Sequence, residues 1–377
     1  MEKSSVQLCS KCVTPASYPR ISFDATGVCS HCREFERRYR DWQKSQTERT
    51  RRLEGLIAWA KRKRRPYDAL VPLSGGKDST YVLYLATKRY QLRTLAFTFD
   101  NGFQSDIARK NICEAINRSG ADHIVVRPSA TLLGALYRHF MEHTGLFCPV
   151  CMRGIYAATF ALTRQFRVPL VLKGTSARTE ERVTPEIFQD GRLSFFKQVL
   201  ARHPFEQSCG LFDCDRSFLQ KLRHGLFLLF GQRVRFGTVE IQVPDFLDWN
   251  YDEIYKTISS EMGWRSLPDR DEHVDCLVEP VAQYLRKVRV PDLTPSMLRY
   301  SAEIRVGQRE RRAALEQIGR ERLRPGLPQE LPIFLERLGV SEEWFRAQLK
   351  DPFRHMQFQK EDLARRLLYR LRPAQVR

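Results

Sequence analysis

The densest chemistry in the sequence is Ser74-Gly75-Gly76-Lys77-Asp78-Ser79. Ala69 to Leu73 before it reads as a short buried strand, and Val82, Leu85 and Ala86 after it share one helical face. Two glycines let the main chain approach a phosphate closely, and a helix N-terminus adds unpaired N–H groups and a favourable dipole. Ser74 and Ser79 supply hydroxyls, Lys77 a positive charge, and Asp78 a carboxylate suited to Mg2+. The G-x4-G-K-[ST] spacing is absent, so this is not a Walker A loop.

Cysteines form the second signal. Cys9-x2-Cys12, then sixteen residues, then Cys29-x2-Cys32 has the spacing of two knuckles whose four thiolates enclose Zn2+ tetrahedrally. A segment this small has too little core to fold without such a staple. A closed four-cysteine site is structural, and His31 reads as a spectator. Cys148 and Cys151 make a third C-x2-C pair, whereas Cys113, Cys209, Cys214 and Cys276 stand apart.

The elements that position these residues alternate. Leu95 to Phe99 is a second strand, Asp106 to Arg118 a helix, and Ile124 to Val126 a third strand. A helix around Ile155 to Phe166 leads to a strand at Pro169 to Leu172. Such units imply an α/β fold, a parallel sheet with helices on both faces, whose strand-following loops form the active site. Residues 181–240 read as helices and loops, and Val243 to Gly263 as a loop capped by Asp248 or Asn250 and then a helix. The organisation expected is a zinc-binding knuckle at 1–36, a basic linker helix at 37–66, the nucleotide domain at 67–290 and a helical C-terminal region at 291–377.

Of 377 residues, 63 are Lys or Arg against 44 Asp or Glu, for a net charge of +19. Thirteen basic residues crowd positions 33–65, beside the helical stripe Leu53, Leu56, Ile57 and Ala60. Such a surface suits nucleic acid, an anionic nucleotide sugar or an acidic partner. No apolar run approaches a membrane span and no signal-peptide core opens the chain, so a cytoplasmic protein without a membrane partner is expected.

The hexapeptide Ser74 to Ser79 resembles that of the PP-loop ATP pyrophosphatases, the adenine nucleotide alpha hydrolase-like enzymes, over about residues 67 to 180. The resemblance implies a PP-loop/HUP-like fold, ATP on this turn, transfer of AMP to an acceptor oxygen and release of pyrophosphate. It gives Lys77 and Asp78 catalytic roles. It also brings Asp100, in Phe99-Asp100-Asn101-Gly102, to the nucleotide and Gly174, in Lys173-Gly174-Thr175-Ser176, to the phosphates. Glu180 and Glu181 read as a solvated helix end.

The stretch from Leu8 to Cys32 is similar to the opening of the N-acetyl sugar amidotransferases of surface-glycan biosynthesis, as are Asp248 to Ile254 and Gly263-Trp264. That resemblance implies conversion of a sugar acetamido group to an acetamidino group, with a small-molecule or nucleotide-sugar acceptor and ammonia from a separate glutaminase. Phe147-Cys148-Pro149-Val150-Cys151 departs from it. With Cys276, this pair is similar to the iron-sulfur PP-loop tRNA thiolases, in which three cysteines hold a [4Fe-4S] cluster. That alternative implies sulfur transfer to tRNA or a small metabolite, with Cys148 and Cys151 catalytic. Cys209 and Cys214 compete with Cys276 for third ligand.

Overall fold

The computed structural model describes residues 6–176, 178–180, 184–187, 189–215, 237–266, 275–290, 292–322 and 326–358. Five strands, β1 (Ala69–Pro72), β2 (Thr94–Phe99), β3 (Asp122–Val126), β4 (Leu170–Lys173) and β5 (Val239–Gln242), form one sheet in the order β3-β2-β1-β4-β5. Every pairing is parallel. β1 therefore lies at the centre, and the order reverses between β1 and β4, where a crevice opens beyond the strand ends. This is the α/β architecture expected from the sequence, a parallel sheet with helices on both faces.

Alternation along the strands assigns the two faces. Ala69, Val71, Leu170, Leu172, Val239 and Ile241 pack on one side against helices α2 (Gln46–Arg62), α3 (Lys77–Tyr84) and α4 (Asp106–Ser119). Leu70, Leu95, Phe97 and Val171 point the other way, onto Ala158 and Leu162 of a helix described below. Ser105 starts α4 by accepting from the Ala108 N–H at 3.1 Å, and Gly120 ends it in the left-handed conformation.

Three expectations need correction. Residues 33–65 form two helices rather than one: α1 (Ser30–Tyr39) crosses the boundary drawn at 36/37, and α2 ends at Arg62. Leu53, Leu56, Ile57, Trp59 and Ala60 of α2 are buried against the sheet, so this basic segment belongs to the core and is no linker. Residues 181–240 are not all helix and loop: β5 closes the sheet there, its Val239 and Ile241 buried and Glu240 drawn to Lys173 at 2.9 Å. Four residues are too few for a periodic signal.

Helix α5 (Ala130–Thr144) precedes α6 (Cys148–Gln165), which starts at the C-x2-C pair itself and is the helix on the second sheet face; α7 (Leu193–Arg202) follows. Together with residues 278–285, 331–345 and Phe358, α5 and α7 build an aromatic-rich core around Phe140, Phe147, Phe195, Phe196 and Phe334. Tyr251–Met262 forms α8, N-capped by Asn250 rather than Asp248. The described residues beyond 292 are helical: α10 (Met297–Arg305), α11 (Arg311–Arg322), α12 (Leu331–Leu338) and α13 (Glu342–Gln348) follow α9 (Glu279–Arg289). No helix among the described residues is long and apolar enough to cross a membrane.

Histidines line one edge of the aromatic core. His143 stacks on His203 at 3.8 Å and meets His139 at 4.5 Å, and His355 is fully buried. Burial and the neighbouring imidazoles hold His143 down to about 4, and burial with Arg289 holds His355 at about 4. Both stay neutral in the folded protein, whereas an unfolded imidazole titrates near 6.5. Stability is therefore complete above that value and is lost as pH falls towards 4. The thermal midpoint is expected to drop by several degrees between pH 7.5 and pH 5, and less in His143→Gln; an equal drop in both proteins would refute this origin.

Candidate functional site

The glycine turn follows β1 at the centre of the sheet. Gly75 takes φ +86°, and a Cβ there would stand 2.6 Å from the Ala108 carbonyl oxygen, so only glycine fits this approach to α4. Ser79 Oγ accepts from the Ser74 N–H at 3.2 Å and donates to the Gly76 carbonyl at 3.1 Å, drawing the turn closed over the start of α3. The Gly75 carbonyl accepts from Trp264 Nε1 at 2.9 Å and from Asn111 Nδ2 at 3.3 Å. Asn111 also exchanges hydrogen bonds with the main chain of Arg265.

Lys77 is buried at the first position of α3, with Nζ 2.8 Å from Asp78 Oδ2 and 4.3 Å from the Tyr251 ring centroid. Trp249 Nε1 donates to Asp78 Oδ1 at 2.7 Å. Both carboxylate oxygens of Asp78 are thus engaged, and a cation could take Oδ2 only as Lys77 turns to another anion. Gly174, at the end of β4, lies against the same residue: a Cβ on it would come within 2.9 Å of Asp78 main-chain atoms. Lys77, Asp78 and Gly174, expected together, are brought together.

Asp100 follows β2, paired with Arg127 at 2.7 Å and accepting from the Gly102 N–H at 2.9 Å. Next to it, Asn101 Nδ2 reaches Cys151 Sγ at 3.4 Å, and the Tyr137 hydroxyl donates to the Asn101 carbonyl at 3.0 Å. Gln104 and Cys276 form an antiparallel bridge, and a Cβ on Gly76 would meet the Asp275 carboxylate at 3.6 Å. Cys148, Cys151 and Cys276 therefore gather beside the glycine turn although Cys151 and Cys276 lie 125 positions apart in the sequence. Burial and Cys151 push the Cys148 thiol far up, burial pushes Cys151 to about 11, and burial with the other two thiols raises Cys276. All three are neutral thiols at neutral pH. Cys214 turns instead to Arg164, and Cys209 enters the aromatic core. Glu180 donates its N–H to the Ser176 carbonyl at 2.9 Å; Glu181 lies outside the described residues.

The N-terminal thiols of Cys9, Cys12, Cys29 and Cys32 are fully buried, their sulfurs all within 4.8 Å of one another. Cys12 and Cys29 sulfurs stand 3.8 Å apart, close to the edge of about 3.8 Å that four Zn–S bonds of 2.3 Å give a tetrahedron. The N–H groups of Cys12 and Cys29 point at Cys9 Sγ, and that of Thr14 at Cys12 Sγ. Hydrogen bonds from the other three thiols depress Cys12 strongly, while the same network raises Cys29 and Cys32. The donor set fits a metal ion. His31 meets the Tyr18 ring edge to face and stands outside the cluster.

Neither the tryptophan donors nor Asn111 was legible as part of the turn from local sequence. Trp249 and Trp264 carried a family likeness but no role, and the contacts that give them one span 171 and 189 residues. Cys9→Ser is expected to release any metal held by the cluster, read by elemental analysis of the purified protein. Unchanged metal content would rule these cysteines out as ligands.

Residues 294–372 match the family described as "LPS biosynthesis protein WbpG-like, C-terminal domain". No curated protein matches the chain. Among solved structures it is similar to NMN synthetase from Francisella tularensis, at 11% identity over 60% of this chain and 99% of that one, with a TM-score of 0.24. It is also similar to the U34-tRNA thiolase NcsA from Methanococcus maripaludis, solved with its [4Fe-4S] cluster, at 13% identity over 84% of this chain and 88% of that one, with a TM-score of 0.29. In fold the chain is an α/β protein with a five-stranded parallel sheet in the order β3-β2-β1-β4-β5, and its residues 294–372 are similar to the C-terminal domain of the WbpG-like proteins.

Proposed function

We propose that this chain binds ATP on the Ser74–Ser79 turn, adenylates the amide oxygen of an acetamido sugar and replaces that oxygen with nitrogen during surface-glycan biosynthesis. The observation that carries the reading is the glycine turn at the start of α3, fixed by two indoles, with Lys77 and Asp78 paired at its mouth. The likeness of residues 294–372 to a lipopolysaccharide biosynthesis protein supports a glycan acceptor over other substrates.

The chemistry follows from the groups present. Main-chain N–H groups at Gly76 and Lys77 and the hydroxyls of Ser74 and Ser79 receive the phosphates, and Lys77 exchanges its Asp78 partner for a phosphate oxygen. Asp78, released by that exchange, would hold Mg2+, which when bound would supply charge neutralisation for pyrophosphate. The acceptor's amide oxygen attacks the α-phosphorus, the bond to the β-phosphate oxygen breaks, and pyrophosphate leaves. Ammonia, delivered by a separate glutaminase, adds to the activated carbon; AMP departs with the former amide oxygen, and loss of a proton leaves the amidine. The four N-terminal cysteines hold Zn2+ as a structural ion.

A second reading rests on Cys148, Cys151 and Cys276 beside the turn. Three thiols are the donor set of a [4Fe-4S] cluster with one open iron, which would supply sulfide to an adenylated acceptor such as tRNA.

Pyrophosphate release is expected to fall about 100-fold in Lys77→Ala and about tenfold in Trp249→Phe, which frees Asp78 from its indole donor; unchanged turnover in both would sink the nucleotide site. Iron, sulfide and zinc analysis of protein purified without oxygen separates the two readings. About one zinc without iron, and activity surviving in Cys148→Ser, support nitrogen transfer. About four iron and four sulfide, lost in that variant together with activity, replace it with sulfur transfer.

A further inference from the structure

Trp42, in the short connection between α1 and α2, carries a guanidinium against its ring from each of two distant segments. Arg49 of α2 lies 3.5 Å and Arg178, beyond β4, lies 4.1 Å from the ring centroid. Arg49 is 6% exposed and Arg178 8%, and neither forms an ion pair with a carboxylate among the described residues. Arg49 Nη1 is satisfied by Ser45 Oγ at 2.6 Å and by the Trp42 carbonyl, and Arg178 Nη2 by the Pro244 carbonyl at 3.4 Å. Arg49 Nε and Nη2, Arg178 Nε and Trp42 Nε1 are buried without a hydrogen-bond partner among the described residues.

Asp245 and Asp248 act on both guanidinium groups, yet several buried donors are left over around one ring, and burying them costs free energy that a bound acceptor group would recover. The leftover groups are all donors, and guanidinium forks match the oxygens of a phosphate. The pair is linked to the glycine turn through neighbouring residues. Arg178 follows Gly174, whose main chain lies on Asp78, by four residues. Tyr251, whose ring lies beneath Lys77 Nζ, acts electrostatically on Arg178, as do Asp245 and Asp248. Asp245 is engaged by Ser176 Oγ, which also receives the Arg178 N–H at 3.0 Å.

We propose that Arg49, Arg178 and Trp42 form a second phosphate site beside the glycine turn, and that it takes the diphosphate of a nucleotide-linked acceptor. The acceptor assignment rests on the function proposed above; the phosphate site rests on the geometry alone. An anion there neutralises both guanidinium groups and fixes the acceptor with its sugar directed towards the turn.

Calorimetric titration of the full chain with uridine diphosphate, and separately with the uncleavable α,β-methylene analogue of ATP, tests this. In Arg49→Gln and Arg178→Gln, affinity for uridine diphosphate is expected to fall at least about tenfold while affinity for the ATP analogue stays within about twofold. The thermal midpoint without ligand should hold or rise in each variant, because an unpaired buried charge has gone. Loss of affinity for the ATP analogue instead would hand the arginines to the nucleotide's own phosphates and overturn the acceptor site. Unchanged affinity for both ligands with a lowered midpoint would make the stack structural and overturn the proposal altogether. Arginine-dependent binding of uridine diphosphate in a protein that releases no pyrophosphate would uphold the site and sink the adenylation reading.

Discussion

The closeness of the Gly75 main chain to α4 constrains everything around the site. With 2.6 Å between the Ala108 carbonyl and the place a Cβ would occupy, the turn can only be glycine, and its carbonyl must find donors inside the protein. It finds them on Asn111 and Trp264, which brings α4 and the segment after α8 onto the same atom. Trp249, from the segment before α8, then fixes Asp78. The strands position the turn, and two indoles and one amide from elsewhere keep its shape. Such preorganisation lets N–H groups meet a phosphate without rearranging when it arrives.

The sheet edge shows the same economy of position. β4 is followed by Gly174, whose missing side chain leaves room for Asp78, and four residues later the chain delivers Arg178 to Trp42. Asp100 and Asn101 follow β2, and Asn101 orients Cys151. The loops after β2 and β4 thus carry a carboxylate and a guanidinium at the same end of the sheet as the glycine turn, and the first turn of α6 adds a thiol.

Much of this was legible in the sequence where the signal is local. The strand, glycine turn and helix from Ala69 to Ala86 announce themselves by periodicity and by Gly75-Gly76, and the two cysteine knuckles by spacing alone. What was not legible depends on contacts between distant residues. β5 is four residues long and becomes a strand by pairing with β4. The apolar stripe Leu53, Leu56, Ile57 and Ala60 is visible in the basic stretch at 33–65, but that it packs on the sheet, and so belongs to the core, comes from the fold. Asn111, Arg49 and Arg178 have no local signature; their roles arise from partners far along the chain.

The N-terminal knuckle is finished by residues from the other end of the fold. Arg311 donates to the carbonyls of Cys9 and Cys12 at 3.0 Å, and Thr14 donates to Ser301 at 3.0 Å. Val13 and Tyr18 are buried among Met297, Tyr300 and Ala314. The ribosome makes Cys9 some 302 residues before Arg311, so for most of translation the four thiols emerge without the surface that encloses them. Their sealing is consequently a late event in biogenesis, and a nascent chain stalled before α11 presents an open thiol cluster to the cell's metal and oxidant pools.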